Sequence, residues 1–313
     1  RKRLASNLPA EPVLSAIRAA IRYARHAPAL RSVLIRTTLF VPFASALWAL
    51  LPFLARHEIG VNAVGYGILF GCLGVGAVTG AAILPWMQRR FSRDSLALGA
   101  TVLFASAIIA MAEIRQFGWL CLVMIGAGAG WITLMISLNI ATQTAAPAWV
   151  RARALALYLL TFQGGMAAGS TLWGTVTAHA GISLALLCAA SALLAGLAFI
   201  HRYPLNGIEE LDLTPSAHWP APTVAVKPDP QDGPVLVTVE YRVNPDDAPN
   251  FTSAMQAVRR QRLRDGALRS GLYSDPADPG RYVETFVVES WAEHLRQHER
   301  VTISVAAAQD KEA

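Results

Sequence analysis

Charge is scarce in this sequence. Of its 313 residues, 15% are Asp, Glu, Lys or Arg, while 54% are hydrophobic. An average soluble domain carries about 25% charged residues, so water is not the only solvent this chain is built for. Cysteine is scarcer, at three positions. Cys72, Cys121 and Cys188 each stand inside an apolar run, where a thiol behaves as a small hydrophobe. There is no CxxC pair or Cys/His cluster, which argues against disulfides and a zinc site. No Asp, Glu, Lys or His lies deep in the apolar runs between residues 33 and 203. A proton relay needs a titratable group within the membrane, so these runs do not supply one.

What is present is a series of segments long and apolar enough to cross a hydrocarbon core, which takes about 20 helical residues. Six are expected: Val33 to Phe53, Ala63 to Met87, Leu96 to Ile114, Trp119 to Gln143, Ala154 to Thr177 and Ile182 to Tyr203. The net charge of +6 invites a nucleic-acid reading, but the arginines flank apolar runs, as the positive-inside bias requires. Nucleic acid is set aside as a partner. Placing the N-terminus in the cytoplasm puts Arg18, Arg22, Arg25, Arg31, Arg36, Arg89, Arg90, Arg93, Arg151, Arg153 and Arg202 inside. Only Arg56 and Arg115 then fall outside, so both termini are expected to be cytoplasmic. Arg36 and Glu113 stand near span ends, where they are expected to reach the interface.

Residues 1–32 form a basic connector. Arg18, Arg22 and Arg25 share a helical stripe beside Val13, Ile17, Ile21 and Ala24, a pattern that fits a helix on the inner leaflet or an ordinary solvated helix. The opening Arg1-Lys2-Arg3 lacks an initiator Met and reads as part of something longer.

The stretch GILFGCLGVGAVTG, Gly67 to Gly80, resembles a phosphate-cradling loop at first sight. Gly74-x-Gly76-x-x-x-Gly80 misses the GxGxxG spacing by one and lies inside a continuous apolar run with no strand before it. On a helix, Gly67, Gly71 and Gly74 share one stripe, with Gly76 and Gly80 nearly opposite. Together with Gly165 and Gly169, these small-xxx-small spacings predict close helix packing in lipid.

After a proline-rich linker, residues 204–232, the pattern becomes that of a soluble domain, residues 233–313. Val235 to Val243 alternate as a strand, Asp246 to Asp265 reads as a helix, and Ala267 to Ser274 and Arg281 to Ser290 read as strands joined across Asp275 to Gly280. Trp291 to Arg300 reads as a helix and Val301 to Val305 as a last strand. That order, β-α-β-β-α-β, is ferredoxin-like. His294 and His298 stand at i, i+4 on the last helix, but no third ligand accompanies them, so no metal and no cofactor is expected.

The stretches LPWMQRRFSRDSLALGA, APAWVRARALALYLLTFQGG and ESWAEHLRQHERVT carry a resemblance. The chain resembles the C-terminal half of a major facilitator superfamily transporter, of the enterobactin-exporter-like, or transmembrane secretion effector, kind. Its tail resembles antibiotic-biosynthesis-monooxygenase-like domains, whose ferredoxin-like units pair into dimers.

The resemblance implies an all-α membrane bundle of six helices, followed by a small α+β domain in a bacterial inner membrane. It implies an N-terminal six-helix half outside this chain, a small amphipathic substrate and a homodimer through the tail. Proton-coupled export by alternating access follows, with the coupling carboxylate in the other half. A membrane-tethered monooxygenase-like enzyme or sensor in residues 233–313 is the alternative.

The family's DRxGR-type gate motif aligns with QRRFSRD. Arg89 stands where the acid would be and Ser92 where the glycine would be, leaving Arg89, Arg90, Arg93, Asp94, Arg151 and Arg153 as gate candidates. Asp94 is expected to partner Arg90 or Arg93, or the whole group to be solvated. Because the first, fourth and fifth spans of a half face the cavity in that fold, Ser45, Trp48, Trp131, Thr133, Asn139 and Gln163 are the candidate cavity residues. Interhelical hydrogen bonding is the plain alternative for each.

Overall fold

A computed structural model of the chain describes residues 13–200, 202–205 and 228–300. The chain divides into two compact units, residues 29–145 with 154–209, and residues 1–28 with 146–153 and 210–313.

The first unit is a helical bundle. Its elements are α2 (Pro28–Phe53, prolonged by a π-helical turn over Leu54–Glu58), α3 (Ala63–Gln88), α4 (Arg93–Glu113), α5 (Phe117–Thr144), α6 (Arg151–Ala180) and α7 (Ile182–Ile200). Among the described residues, five of these are long and apolar enough to cross a membrane. Six were expected. The exception is α6, which forms over 30 residues but whose apolar character is diluted by Gln163, Ser170, Thr171, Thr175, Thr177 and His179.

Polar residues set the helix boundaries. Asn62 caps α3 by accepting from the Gly65 N–H at 3.1 Å, and Ser92 caps α4 by accepting from the Ser95 N–H at 3.2 Å. Such caps satisfy N–H groups that have no partner within the helix. Between α6 and α7 the chain turns at Gly181, whose φ of 83° favours glycine.

Close packing is confined to part of the glycine pattern. A Cβ added at Gly76 would overlap the Ile125 carbonyl, and one at Gly80 would lie 2.9 Å from Ala129 Cα. From the α5 side, a Cβ at Gly128 would overlap the Leu73 carbonyl, and one at Gly130 would lie 2.8 Å from the Ala100 carbonyl of α4. Thus α5 is wedged between α3 and α4 at backbone contact. The expected second thin face of α3 meets no neighbour among the described residues: around Gly67, Gly71 and Gly74 no atom lies within 4 Å of a built Cβ. Glycine content makes a helix thin without deciding which thin face meets a neighbour. On α6, a Cβ at Gly169 would overlap the Pro42 carbonyl and one at Gly165 would lie 3.2 Å from Val41 Cγ1. The same Pro42 carbonyl accepts from Ser45 Oγ at 2.7 Å and from Trp173 Nε1 at 2.8 Å.

The second unit contains α1 (Val13–His26), β1 (Val235–Arg242), a 3-10 turn (Pro245–Asp247), α8 (Ala248–Asp265), β2 (Ala267–Asp275), β3 (Asp278–Val288) and α9 (Trp291–Arg300). The described strands form one antiparallel sheet in the order β1-β3-β2. Phe251, Met255 and Val258 of α8 pack on Tyr241, Val243, Leu272 and Tyr282, while Ala267, Phe286 and Val288 pack on Val235, Val237 and Val239. The β2–β3 turn is tighter than the expected six residues, because Asp275 already pairs with Asp278. Pro279 is accommodated because β1 pairs with β3 only from Arg281 onward. The expected strand Val301 to Val305 and most of the linker lie outside the described residues.

The connector helix α1 packs on this unit through a face other than its isoleucine stripe. Ala19, Ala20, Tyr23 and Ala27 are buried against this unit, whereas Ile17 and Ile21 are exposed. Arg22 Nη2 donates to Glu293 Oε1 at 3.3 Å, and Arg18 lies 3.6 Å from Glu289. Tyr23 meets Trp149 edge-on at 5.7 Å and lies under the Arg264 guanidinium at 5.9 Å. Small alanines around one tyrosine allow a close approach that the bulkier Ile stripe would not.

Two outcomes are expected. Gly76→Leu should lower the thermal stability of the purified protein by at least the 1–3 kcal/mol typical of overpacking, whereas Gly71→Leu should leave it near wild type. Burial pushes the Tyr23 hydroxyl up to about 12, above the roughly 10 of an unfolded tyrosine. Its folded pKa being the higher, its contribution is complete below pH 10 and declines between about 10 and 12. Ultraviolet difference titration of the wild type against Tyr23→Phe should show that late-ionising tyrosine only in the wild type.

Candidate functional site

Aromatic side chains from four helices meet in the bundle. The Trp131 ring of α5 lies 6.0 Å from Phe40 and 5.3 Å from Trp48 of α2, 5.7 Å from Phe104 of α4 and 6.0 Å from Phe162 of α6. Trp48 also stands 5.9 Å from Phe70 of α3. Such ring pairs favour tilted and edge-on geometry, and most of these are tilted by between 39° and 69°. Beside this cluster, between α5 and α6, runs an open groove of about 340 Å³ lined by Trp131, Met135, Asn139, Tyr158, Leu159 and Phe162.

Polar groups in and near the groove are few. Asn139 Oδ1 accepts from Gln143 Nε2 at 2.7 Å, which leaves the Asn139 amino group available to a ligand. The Trp48 indole N–H is buried without a hydrogen-bond partner among the described residues, and a buried donor is costly until an acceptor reaches it. Apolar walls with a few placed polar groups are the usual make-up of a small-molecule site.

Of the six sequence candidates, Trp131 and Asn139 line the groove, and Trp48 belongs to the ring cluster beside it. Ser45 is buried with its hydroxyl on the Pro42 carbonyl. Thr133 is buried outside the groove lining, and Gln163 is exposed. Tyr158, Phe162 and Met135 were not anticipated. The spacing of Tyr158 and Phe162, one helical turn apart, was the signal available for two of them.

The ends of the bundle are held by arginines. At the α3–α4 end, Arg36 of α2, 3% exposed, donates through Nη2 to Asp94 Oδ1 of α4. Its Nε donates to the Tyr203 carbonyl at 2.7 Å and its Nη2 also reaches the Ile200 carbonyl at 3.3 Å. The Asp94 carboxylate in turn accepts the Leu205 N–H at 3.0 and 3.2 Å. Asp94 therefore pairs with Arg36, a partner not anticipated in the sequence. Arg36 is likewise no interfacial side chain. Helix α4 starts at Arg93, which turns the carboxylate of its first turn toward α2 and the segment after α7.

The other gate candidates are scattered. Arg89 ends α3 and is exposed, Arg90 lies 5.0 Å over the Trp86 ring, Arg93 opens α4 and Arg153 lies in the first turn of α6. Arg151 Nε donates to the Ala146 carbonyl at 3.2 Å. At the α4–α5 end, unforeseen in the sequence, Arg115 donates to Glu58 Oε2 at 3.2 Å, Ser183 Oγ at 2.8 Å and the Met111 carbonyl at 3.1 Å.

In the second unit, His294 is buried, with its ring 5.2 Å from Trp291, and the His298 side chain lies outside the described residues. No group of three potential metal-ligating side chains occurs among the described residues.

The family model described as transmembrane secretion effector matches residues 1–312. The chain belongs to that family, whose members are transporters of the major facilitator type. No curated protein matches the chain.

Removing one member of a buried ion pair typically costs about 3–5 kcal/mol, because the other charge stays uncompensated. Asp94→Asn and Arg36→Gln should each lower the melting temperature of the detergent-purified protein markedly. Arg36→Lys should not restore it, since an ammonium lacks the fork that serves Asp94 and two carbonyls together.

Proposed function

We propose, on the premise of that membership, that the chain exports small amphipathic, aromatic-bearing molecules across a bacterial inner membrane by alternating access. The aromatic groove between α5 and α6 is the observation that carries this reading. Its ring faces suit a flat apolar moiety, and the Asn139 amide suits an acceptor atom on the same molecule.

In this reading α6 also crosses the membrane, as the fifth of six spans. Its polar residues make it the least lipid-like helix of the set, as suits a wall of a substrate path. A second half-bundle, outside this chain, covers the groove and completes the site, and both termini lie in the cytoplasm. The Arg36–Asp94 clasp keeps α2, α4 and the end of α7 together as that half rocks. Export is driven by protons through a carboxylate of the other half. The tail is ferredoxin-like, and its outer sheet face, where Leu236 is 63% exposed, supports pairing with a second copy.

Cells expressing the full-length transporter should retain less of a fluorescent amphipathic aromatic dye than empty-vector cells, and a protonophore should abolish the difference. Trp131→Ala and Phe162→Ala, at wild-type membrane abundance, should each reduce export about 3- to 10-fold, as loss of an aromatic contact predicts. Unchanged export in both variants would remove the groove from the substrate path.

A further inference from the structure

A second cavity lies outside the bundle, in the second unit. It is a groove of about 400 Å³ between α8 and the edge strand β2, within the size range of small-molecule sites. Met255 and Leu272 give it an apolar wall, Tyr273 a ring that is 61% exposed, and Gln256 and Arg259 a polar rim on one face of α8.

Its floor is a carboxylate already satisfied. Glu284, 1% exposed, accepts from Arg262 Nε at 2.9 Å, from Arg262 Nη2 at 3.2 Å and from the Tyr241 hydroxyl at 2.9 Å. A ligand there meets a neutralised pair, not a bare negative charge. Arg259 is different. Its Nε donates to the Ser270 carbonyl of β2 at 3.1 Å, which orients the guanidinium at the groove. No partner is recorded for its two terminal nitrogens among the described residues. A planar fork held by one nitrogen and offering two is suited to a carboxylate.

We propose that this groove binds small aromatic carboxylic acids. The acid pairs with the Arg259 fork, the ring lies against Tyr273, and the remaining apolar surface covers Met255 and Leu272. The site is independent of the export groove, so the chain recognises a small molecule in a second place.

The test uses the full-length protein in lipid nanodiscs, with 2-naphthoate as the probe and uncharged 2-naphthamide as its isostere, followed by ligand-observed NMR titration. The wild type should bind naphthoate saturably and naphthamide about tenfold more weakly, as loss of a charge-assisted pair predicts. Arg259→Gln should weaken naphthoate by a similar factor. Arg260→Gln, a change at the exposed neighbour whose Nε meets the Gln256 carbonyl, should leave it unchanged. Trp131→Ala should also leave it unchanged, which separates this site from the bundle groove. Absence of saturable naphthoate binding, indifference to Arg259→Gln, equal affinity for the amide, or loss on Trp131→Ala would each overturn the proposal.

Discussion

The contact between Arg36 and Asp94 governs how the bundle is assembled. A guanidinium that is 3% exposed in an apolar helix is tolerable only when its charge is paired and donors are directed at protein groups, as Nε and Nη2 of Arg36 are, while its Nη1 has no hydrogen-bond partner among the described residues. Here those groups come from three parts of the chain: the first turn of α4, the last turn of α7 and the residues just after it. None of them can be withdrawn without leaving a charge or a carbonyl stranded in a medium that offers no water. The pair therefore fixes the relative height of α2, α4 and α7, and the Arg115 cluster does the same for the opposite ends. Between the two clasps the contacts are mostly non-directional, apart from the Trp173 N–H on the Pro42 carbonyl, which ties α6 to α2.

Between those ends, packing is decided by the absence of side chains. Without a hydrophobic driving force between helices in lipid, close approach must come from small residues. In α5 the run Gly126 to Gly130 supplies them on two sides, so α3 and α4 both reach backbone contact. Above this level the helices are filled by rings, and Trp131 touches aromatic residues from three other helices.

Much of this was legible in the sequence, for reasons that differ by element. The helices fall within a few residues of the apolar runs because polar caps such as Asn62 and Ser92 and the turn at Gly181 interrupt them where helices must end. The strands of the second unit follow from the alternation Val235, Val237, Val239, Tyr241. What could not be read is what depends on two distant residues meeting. Asp94 has Arg90 and Arg93 close in sequence, yet it accepts from Arg36, 58 positions away, because the start of α4 aims it toward α2. The Gly67, Gly71, Gly74 stripe and the Ile17, Ile21 stripe were both visible, and among the described residues the neighbours sit on other faces of both helices. Of the groove residues, Trp131 and Asn139 were found as polar or amphipathic groups in an apolar helix. Met135, Tyr158 and Phe162 were not, since in isolation they look like any lipid-facing side chain.

The unit that contains α1 is assembled from three separate stretches of chain, the connector, residues 146–153 and the tail. That has a consequence for biogenesis. During synthesis, at roughly 5–20 residues per second, α1 is made first, yet Glu293, which binds Arg22, follows 271 positions later. All six bundle helices are translated in the interval. The bundle must enter the membrane while α1 still lacks its partners, and the second unit closes only when α9 has left the ribosome. Closure of the Arg22–Glu293 contact thus requires translation to have passed α9, and a chain cut short before α9 would carry an unclosed connector.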